Sequence, residues 1–496
     1  VADTPRTERL RALLLQRLRE AARVLLPIAP ETDDPYELLD ALAESVRDTP
    51  AHDRLWLLFT ATAGAFPTPA QFESLRRRLV LCRPGEARST VLEETLDAAS
   101  AAGEWERPLR VVEGVTVVDV NFCAKFVHNT GIQRVVREVI PHLLDVATSP
   151  VELVAWTRRS GLLRGLTAVE RQRVVAWREL AAGQAPEFAP QPEELIVPWH
   201  SRVFLPEVPE PALVERLAAL AEFSGNRVSL IGYDTIPIAS ADLVAASEAE
   251  RFARYLSVVK HADEVVAISR SVADEFGGFL DALAAQGLAG PRVTAVPLAA
   301  DVPPQTGEAP AETPVPVILS VGSHEPRKNQ DAVLFAAERL LAEGHRFRLV
   351  FVGGGSRTRT LPFDRHLREL RARHGWNIES VRGMRDRELW QLYRSARFSV
   401  FPSLHEGYGL PVVESLALGT PVLTGDYGSL AEIAANGGCL TVDPRDDDAI
   451  TDGMRALLTD DQLIARLTAE AARIPPRSWH DYATELWSAG RLGEHS

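Results

Sequence analysis

The chain has 496 residues, 46% apolar and 25% charged, and its 54 Lys+Arg against 68 Asp+Glu give a net charge of −14. That is ordinary globular composition, enough for about three folding units at roughly 150 residues each. The acidic balance argues against a general nucleic-acid coat, and no apolar run approaches the roughly 18–20 residues that span a bilayer.

Residues 1–107 read as a helical extension. Leu10, Leu14, Leu18, Ala21 and Leu25 recur at helical spacing, with Arg6, Arg9, Arg11, Arg17, Arg19 and Arg23 around them. Such a helix either lies on an anionic membrane surface or packs on its neighbours with its arginines in water. Pro27, Pro30 and Pro35 end the pattern, and amphipathic segments follow near 36–48, 51–64, 69–81 and 88–101.

From Leu109 the pattern changes. Residues 108–305 alternate β-rich runs and helices: a run at 109–119, a loop at 120–130, a helix at 131–144, then strands at 151–156, 203–205, 227–233, 264–267 and 292–297, with helices at 242–260 and 271–286. Residues 157–200 show no clear period. Alternation of this kind predicts a parallel sheet with crossover helices.

Pro303–Pro314 (PPQTGEAPAETP) reads as a linker. A second alternating unit occupies 306–475, with strands at 315–321, 347–352, 397–402 and 421–424 and helices at 328–343, 386–395 and 411–418. Residues 476–496 form a final helix. The expected fold is α/β: two doubly wound, Rossmann-like domains behind an all-helical extension. Ligands of such sheets lie in the crevice beyond the carboxyl ends of the strands.

Three segments carry chemistry. In Phe398–Gly419 (FSVFPSLHEGYGLPVVESLALG) a strand enters a glycine-punctuated turn, and Pro411 suits a first helical position. The N–H groups of Gly409 and Leu410 at that helix start suit an anion or hydroxyl. Glu406 and Glu414 are separated by Gly407, Gly409 and Pro411, so they can serve different parts of one ligand. In Ile318–Gln330 (ILSVGSHEPRKNQ), Arg327-Lys328 stand at a strand's carboxyl end before a helix. Two cations there suit a diphosphate; the plainer alternative is a solvated basic pair. The chain has only three lysines, Lys125, Lys260 and Lys328, so a retained lysine points to a need for a compact point charge. In Val117–Arg137 (VVDVNFCAKFVHNTGIQRVVR), Thr130-Gly131 opens a helix, and Lys125 lies in the preceding loop.

The first of these segments resembles the Glu-x7-Glu signature of family 4 retaining glycosyltransferases, which have the two-domain GT-B fold. Glu406-Gly407-Tyr408-Gly409-Leu410-Pro411 and Glu414 fit it without a gap. The resemblance covers roughly residues 115–490 and does not reach 1–105. It implies that Glu406 lies beside the donor sugar near its anomeric carbon and that Glu414 binds the ribose hydroxyls. It also implies that Gly407, Tyr408, Gly409 and Leu410 line the donor and that Arg327 and Lys328 stabilise the departing diphosphate. Many members place an arginine directly after the strand-end glycine, where this chain has Ser323. "TGIQRVVRE" is similar to sugar-polymer enzymes in which the glycine, here Gly131, lets backbone approach the donor phosphate. Gly353, where a strand end opens into a flexible turn, is counted with the donor-binding positions, and Val381-Arg382-Gly383 is similar to the segment that lines the nucleotide base.

Ser229–Ile238 (SLIGYDTIPI) resembles an HD-x-IP segment, with Tyr233 in place of the histidine. Asp234 is then either an acceptor-side carboxylate, counted with the catalytic set, or a helix cap. Tyr233 and Lys125 are the acceptor-side candidates. The resemblance implies a nucleotide-diphosphate sugar donor, a glycan, lipid-linked or small-molecule hydroxyl acceptor, and polysaccharide or glycan assembly. No cofactor and no metal are expected, because the acidic run Asp443–Asp448 reads as a helix start. No nucleic-acid partner is expected. Cys82, Cys123 and Cys439 lie far apart without CxxC spacing, and the polar, basic opening residues lack a cleavable apolar segment. A cytoplasmic setting is expected, with a peripheral position at the inner face of a membrane as the alternative. The competing readings are a nucleotide-sugar epimerase on the same fold and a scaffold whose transferase half is inactive.

Overall fold

The computed structural model describes residues 4–47, 50–129, 131–181, 194–300, 302, 315–355, 357–375 and 377–494. The Pro303–Pro314 linker and Thr130 lie outside the described residues.

Five helices come first, at Thr4–Leu25, Pro35–Arg47, His52–Ala63, Pro69–Leu81 and Ala87–Ala102. Local chemistry sets some of their ends: Thr68 and Gln71 form a capping box ahead of Pro69. The five helices share one apolar core with the sheet that follows. Leu18, Leu39, Trp56 and Phe59 belong to the same buried cluster as Val117 and Val118. Gln16 closes the end of strand β1 (Leu109–Val112), accepting from Leu109 N at 3.0 Å and donating to Leu109 O at 2.7 Å. Arg17, expected in water, is buried, and its Nη2 donates to Glu104 O at 2.6 Å. Arg11, Arg19 and Arg23 pair with Asp34, Asp33 and Glu113. With Leu15, Leu18, Ala21, Ala22 and Leu25 buried inside the protein, this helix follows the packed alternative, and membrane contact gains no support from it. Among the described residues no helix is long and apolar enough to cross a membrane.

The first sheet continues with β2 (Thr116–Asp119), β3 (Val151–Trp156), β4 (Leu163–Gly165), β5 (Leu195–Pro198), β6 (Arg202–Leu205), β7 (Arg227–Gly232), β8 (Glu264–Ala267) and β9 (Arg292–Ala295). Its order is β1-β5-β4-β3-β2-β6-β7-β8-β9. The 109–119 run, expected as one strand, is two strands that part at Gly114 (φ 63°) and do not pair with each other. Within the stretch that showed no period, β4 runs antiparallel to both neighbours, so the sheet is mixed. The expected loop after β2 contains a short helix, Asn121–Lys125. Its start is fixed from outside: Glu207 accepts from the N–H groups of Phe122 (2.7 Å) and Cys123 (2.8 Å).

The second sheet is formed by β10 (Val317–Val321), β11 (Arg348–Val352), β12 (Ile378–Val381), β13 (Phe398–Phe401), β14 (Val422–Gly425) and β15 (Cys439–Val442). It is parallel throughout, in the order β12-β11-β10-β13-β14-β15. Strand order reverses between β10 and β13, where connections leave for opposite faces and a crevice opens at the carboxyl ends. The helix Trp479–Ala489, capped by a Ser478–Asp481 box, returns to the first sheet. Ser229 Oγ donates to Gly490 O (2.7 Å) and Thr116 Oγ1 to Leu492 O (2.6 Å).

Candidate active site

The crevice at the β10/β13 reversal holds Arg327, Lys328 and Glu406. Pro326–Lys328 is a single tight turn, closed by Asn329 in a left-handed conformation before the helix Gln330–Ala342. Leu404 N donates to Arg327 O at 2.7 Å, tying this turn to the loop after β13. Lys328 Nζ lies 2.5 Å from Glu406 Oε1, and Arg327 Nη1 lies 3.1 Å from Glu406 Oε2. Arg327 Nε also donates to Glu325 at 3.0 Å, and Lys328 Nζ sits 4.9 Å above the Phe401 ring. Burial alone would raise the Glu406 carboxyl, but Lys328 and Arg327 outweigh it and hold the group below the usual range. Burial pulls the Lys328 ammonium down, with Glu406 opposing. The two cations therefore have a carboxylate counter-ion.

The first domain supplies Asp234, beyond the carboxyl end of β7. Its Oδ1 accepts from Ile236 N at 3.1 Å, a local turn contact one residue ahead of Thr235, the N-cap of the short helix Ile236–Ala239. Burial raises its pKa to about 6, with Arg327 opposing and Glu275 and Glu406 adding to the rise. Asp234 thus shares the field of the clamp from across the crevice. Tyr233 does not reach it: its hydroxyl is buried and donates to Pro206 O at 2.7 Å. The phenol of this acceptor-side candidate is engaged as a tie to the backbone after β6.

The glycine-rich turn after β13 is also the contact between domains. A side chain at Gly407 would place Cβ 2.3 Å from Tyr233 O, so only glycine lets the two backbones approach. Ser269 Oγ donates to Gly407 O at 2.8 Å. Tyr408, expected against the donor, donates its hydroxyl to Leu298 O of the first domain at 2.7 Å. Gly409 and Leu410 begin the helix Leu410–Ala417 as expected. Glu414 falls in its second turn and is buried. It pairs with Arg134 Nη2 at 2.6 Å, while Tyr393 Oη lies 3.5 Å away. Burial raises the Glu414 carboxyl, with Arg134 opposing.

The remaining candidates are dispersed. Gly131 caps the helix Ile132–Val146 with φ 52° and open space where a Cβ would lie. Gly353 at the end of β11 abuts Gly322, whose carbonyl would lie 1.9 Å from a Cβ. Arg382 forms a two-pronged pair with Asp364 (2.7 and 2.8 Å). Lys125 ends the helix Asn121–Lys125 and lines a separate cavity. Asp446 caps the helix Asp447–Thr459, accepting from Asp448 N and Ala449 N. Residues holding the crevice that sequence reasoning did not single out are Arg134, His405, Glu275 and Glu432. His405 bridges the domains, with Nδ1 2.8 Å from Ser240 Oγ and Nε2 2.9 Å from Glu275 Oε1. Glu432 accepts from Arg270 N (3.0 Å) and Ser271 N (2.5 Å) across the same boundary. Arg134 lies inside the TGIQRVVRE segment, which was its only available signal.

Two Rossmann-like sheets facing one crevice are the GT-B arrangement. Sucrose-phosphate synthase from Thermosynechococcus elongatus has this fold (TM-score 0.51, 15% identity, 76% of this chain and 96% of that one covered). So does HepE from Anabaena, solved with UDP and glucose (TM-score 0.51, 13% identity, 76% and 99% covered). Residues 305–474 match the family model "Glycosyl transferases group 1". Among relatives, O-antigen chain mannosyltransferase B of Escherichia coli is 35% identical over 175 residues, 35% of this chain and 45% of its own length. A D-inositol 3-phosphate glycosyltransferase of Xylanimonas cellulosilytica is 32% identical over 261 residues, 46% of this chain and 57% of its own. The chain thus spans about half the length of the curated relatives it matches.

Proposed function

We propose that the protein is a retaining glycosyltransferase that moves a sugar, with mannose the first candidate, from a nucleotide-diphosphate donor to a hydroxyl acceptor in glycan assembly. The mannosyltransferase relatives support the choice of sugar. The observation that carries the reading is the pairing of Arg327 and Lys328 with Glu406 at the β10/β13 reversal. Glycosyl transfer develops positive charge at the anomeric carbon and negative charge on the departing diphosphate. Preorganised cations lower the cost of the second. Glu406, ionised and adjacent, favours the first. In the absence of donor it neutralises the two cations; a diphosphate competes for the same N–H groups and frees the carboxylate to face the sugar. Glu414 accepts from the ribose hydroxyls. The cations do the work of charge neutralisation, so turnover proceeds without a metal. The interdomain contacts around Gly407 exclude water that would hydrolyse the donor.

The test is nucleotide release from GDP-mannose and UDP-sugars with and without a glycan acceptor, in the presence of EDTA. Acceptor-dependent release with retained anomeric configuration supports the reading. Conversion of the donor alone, with no acceptor requirement, replaces it with an epimerase. No engagement of any nucleoside diphosphate ends it.

A further inference from the structure

A cavity of about 620 Å³ lies apart from the crevice, between the helical extension and the first sheet. That volume falls in the range of small-molecule sites, roughly 300–1,000 Å³. Lys125 reaches it from the helix after β2, Arg158 and Arg159 from the turn after β3, and Arg107 from the segment leading into β1. Arg164 and Glu170 form one wall. They are joined by two hydrogen bonds of 2.8 and 2.7 Å, and Thr167 N donates to the same carboxylate at 2.9 Å. That pair is buried and internally neutral, so it acts as a fixed support.

Five cations line this cavity against two carboxylates, Glu104 and Glu170. An excess of three positive charges is notable in a chain whose net charge is −14. The side chains of Arg158 and Lys125 have no hydrogen-bond or ion-pair partner among the described residues. A concave site with unpaired cations on a rigid wall suits a multiply charged anion, and guanidinium forks match phosphoryl oxygens. A single carboxylate would leave most of that charge unmatched.

The cavity opens at the carboxyl ends of β2 and β3, the sheet edge that also carries Asp234 beyond β7. With strands in the order β3-β2-β6-β7, β3 and β7 are three spacings apart, about 14 Å at about 4.8 Å per strand. A phosphoryl group bound there is too far to be the reacting group, yet lies on the acceptor's side of the crevice. Resting on the reading above, we propose that this cavity binds a phosphoryl group carried by the acceptor, so that the acceptor is a phosphorylated sugar or glycan longer than one ring. The helical extension then contributes to acceptor binding, because it supplies Arg107 and closes the subsite.

The experiment is calorimetric titration of the whole chain with glucose 6-phosphate, inorganic phosphate and uncharged glucose, with UDP and GDP present to fill the donor clamp. Saturable binding of a phosphate probe, with none for glucose, is expected. The Arg158→Ala/Arg159→Ala variant is expected to weaken it about tenfold or more, with Arg158→Lys retaining part of it. Both arginines are exposed, and an unchanged melting temperature checks that the variants fold. Absence of saturable binding at millimolar probe, displacement of the probe by the nucleotides, or unchanged affinity in the double variant overturns the proposal. Phosphate binding by a chain that never turns over a donor would instead leave the subsite standing and remove the transferase reading.

Discussion

Arg134 of the first domain and Glu414 of the second form an ion pair of 2.6 Å across the crevice, with the carboxylate 3% exposed and the arginine 31%. A buried carboxylate with one cationic partner depends on that partner for its charge. Burial already raises Glu414, and Arg134 opposes the rise. Arg134→Ala should therefore raise the carboxyl further, and the neutral form cannot accept two hydroxyl hydrogen bonds as well. The donor KM of this variant should rise, and rise more as pH falls. Donor KM measured across pH checks it; a wild-type-like, flat profile would remove Arg134 from the donor site.

Removing either clamp cation should cost about 1–3 kcal/mol in kcat/KM, the range of a charge-assisted contact. Either variant leaves the buried Glu406 carboxylate with one cationic partner, so each should cost stability as well as turnover. Steady-state kinetics with parallel melting curves separate the two effects. Unchanged kcat/KM in both Arg327→Ala and Lys328→Ala would defeat the clamp.

Glu406→Gln keeps the shape and removes the charge. It should lower kcat more than it changes donor KM, whereas Glu414→Ala should raise donor KM more than it lowers kcat. The opposite split in either variant would reverse the two assignments.

The His405–Glu275 contact predicts a pH-dependent tie between domains. The hydrogen bond to Glu275 raises His405 above its ordinary 6.5, with burial opposing. A group raised in the folded state contributes stability that is complete below the unfolded value and is lost as pH rises through the folded one. His405→Asn should therefore cost about 1–3 kcal/mol at pH below 6.5, with the difference shrinking above neutrality. Melting temperatures of both proteins across pH measure it; a pH-independent difference would show that the imidazolium charge plays no part.

Much of the fold was legible because it is written in local patterns. The helix at 386–395 was located to the residue, and the strand ends at Val321 and Val352 were too, since period, capping residues and β-branched runs act over a few neighbours. The division of 109–119 was not legible. Both halves are β-rich, and only their partners, β5 for one and β3 and β6 for the other, separate them. The short helix at Asn121–Lys125 was hidden for the same reason, because its capping carboxylate comes from Glu207.

Local pattern along the chain is enough to show that two Rossmann-like units follow a helical segment, that Glu406, Arg327 and Lys328 stand between a strand end and the next helix, and that Glu414 lies just inside such a helix. Spacing along the chain suffices for that, because a strand's carboxyl end and the next helix are adjacent in sequence. Tertiary structure alone decided that Glu406 is the counter-ion of both cations, that Arg134 faces Glu414, that Gly407 and Tyr408 seal one domain against the other, and that Arg107 joins Lys125 in a basic cavity. Arg107 and Lys125 are 18 residues apart, and the other pairings join residues dozens to hundreds apart in sequence. Which charges meet is set by how the two sheets and the helical segment pack around their shared crevice.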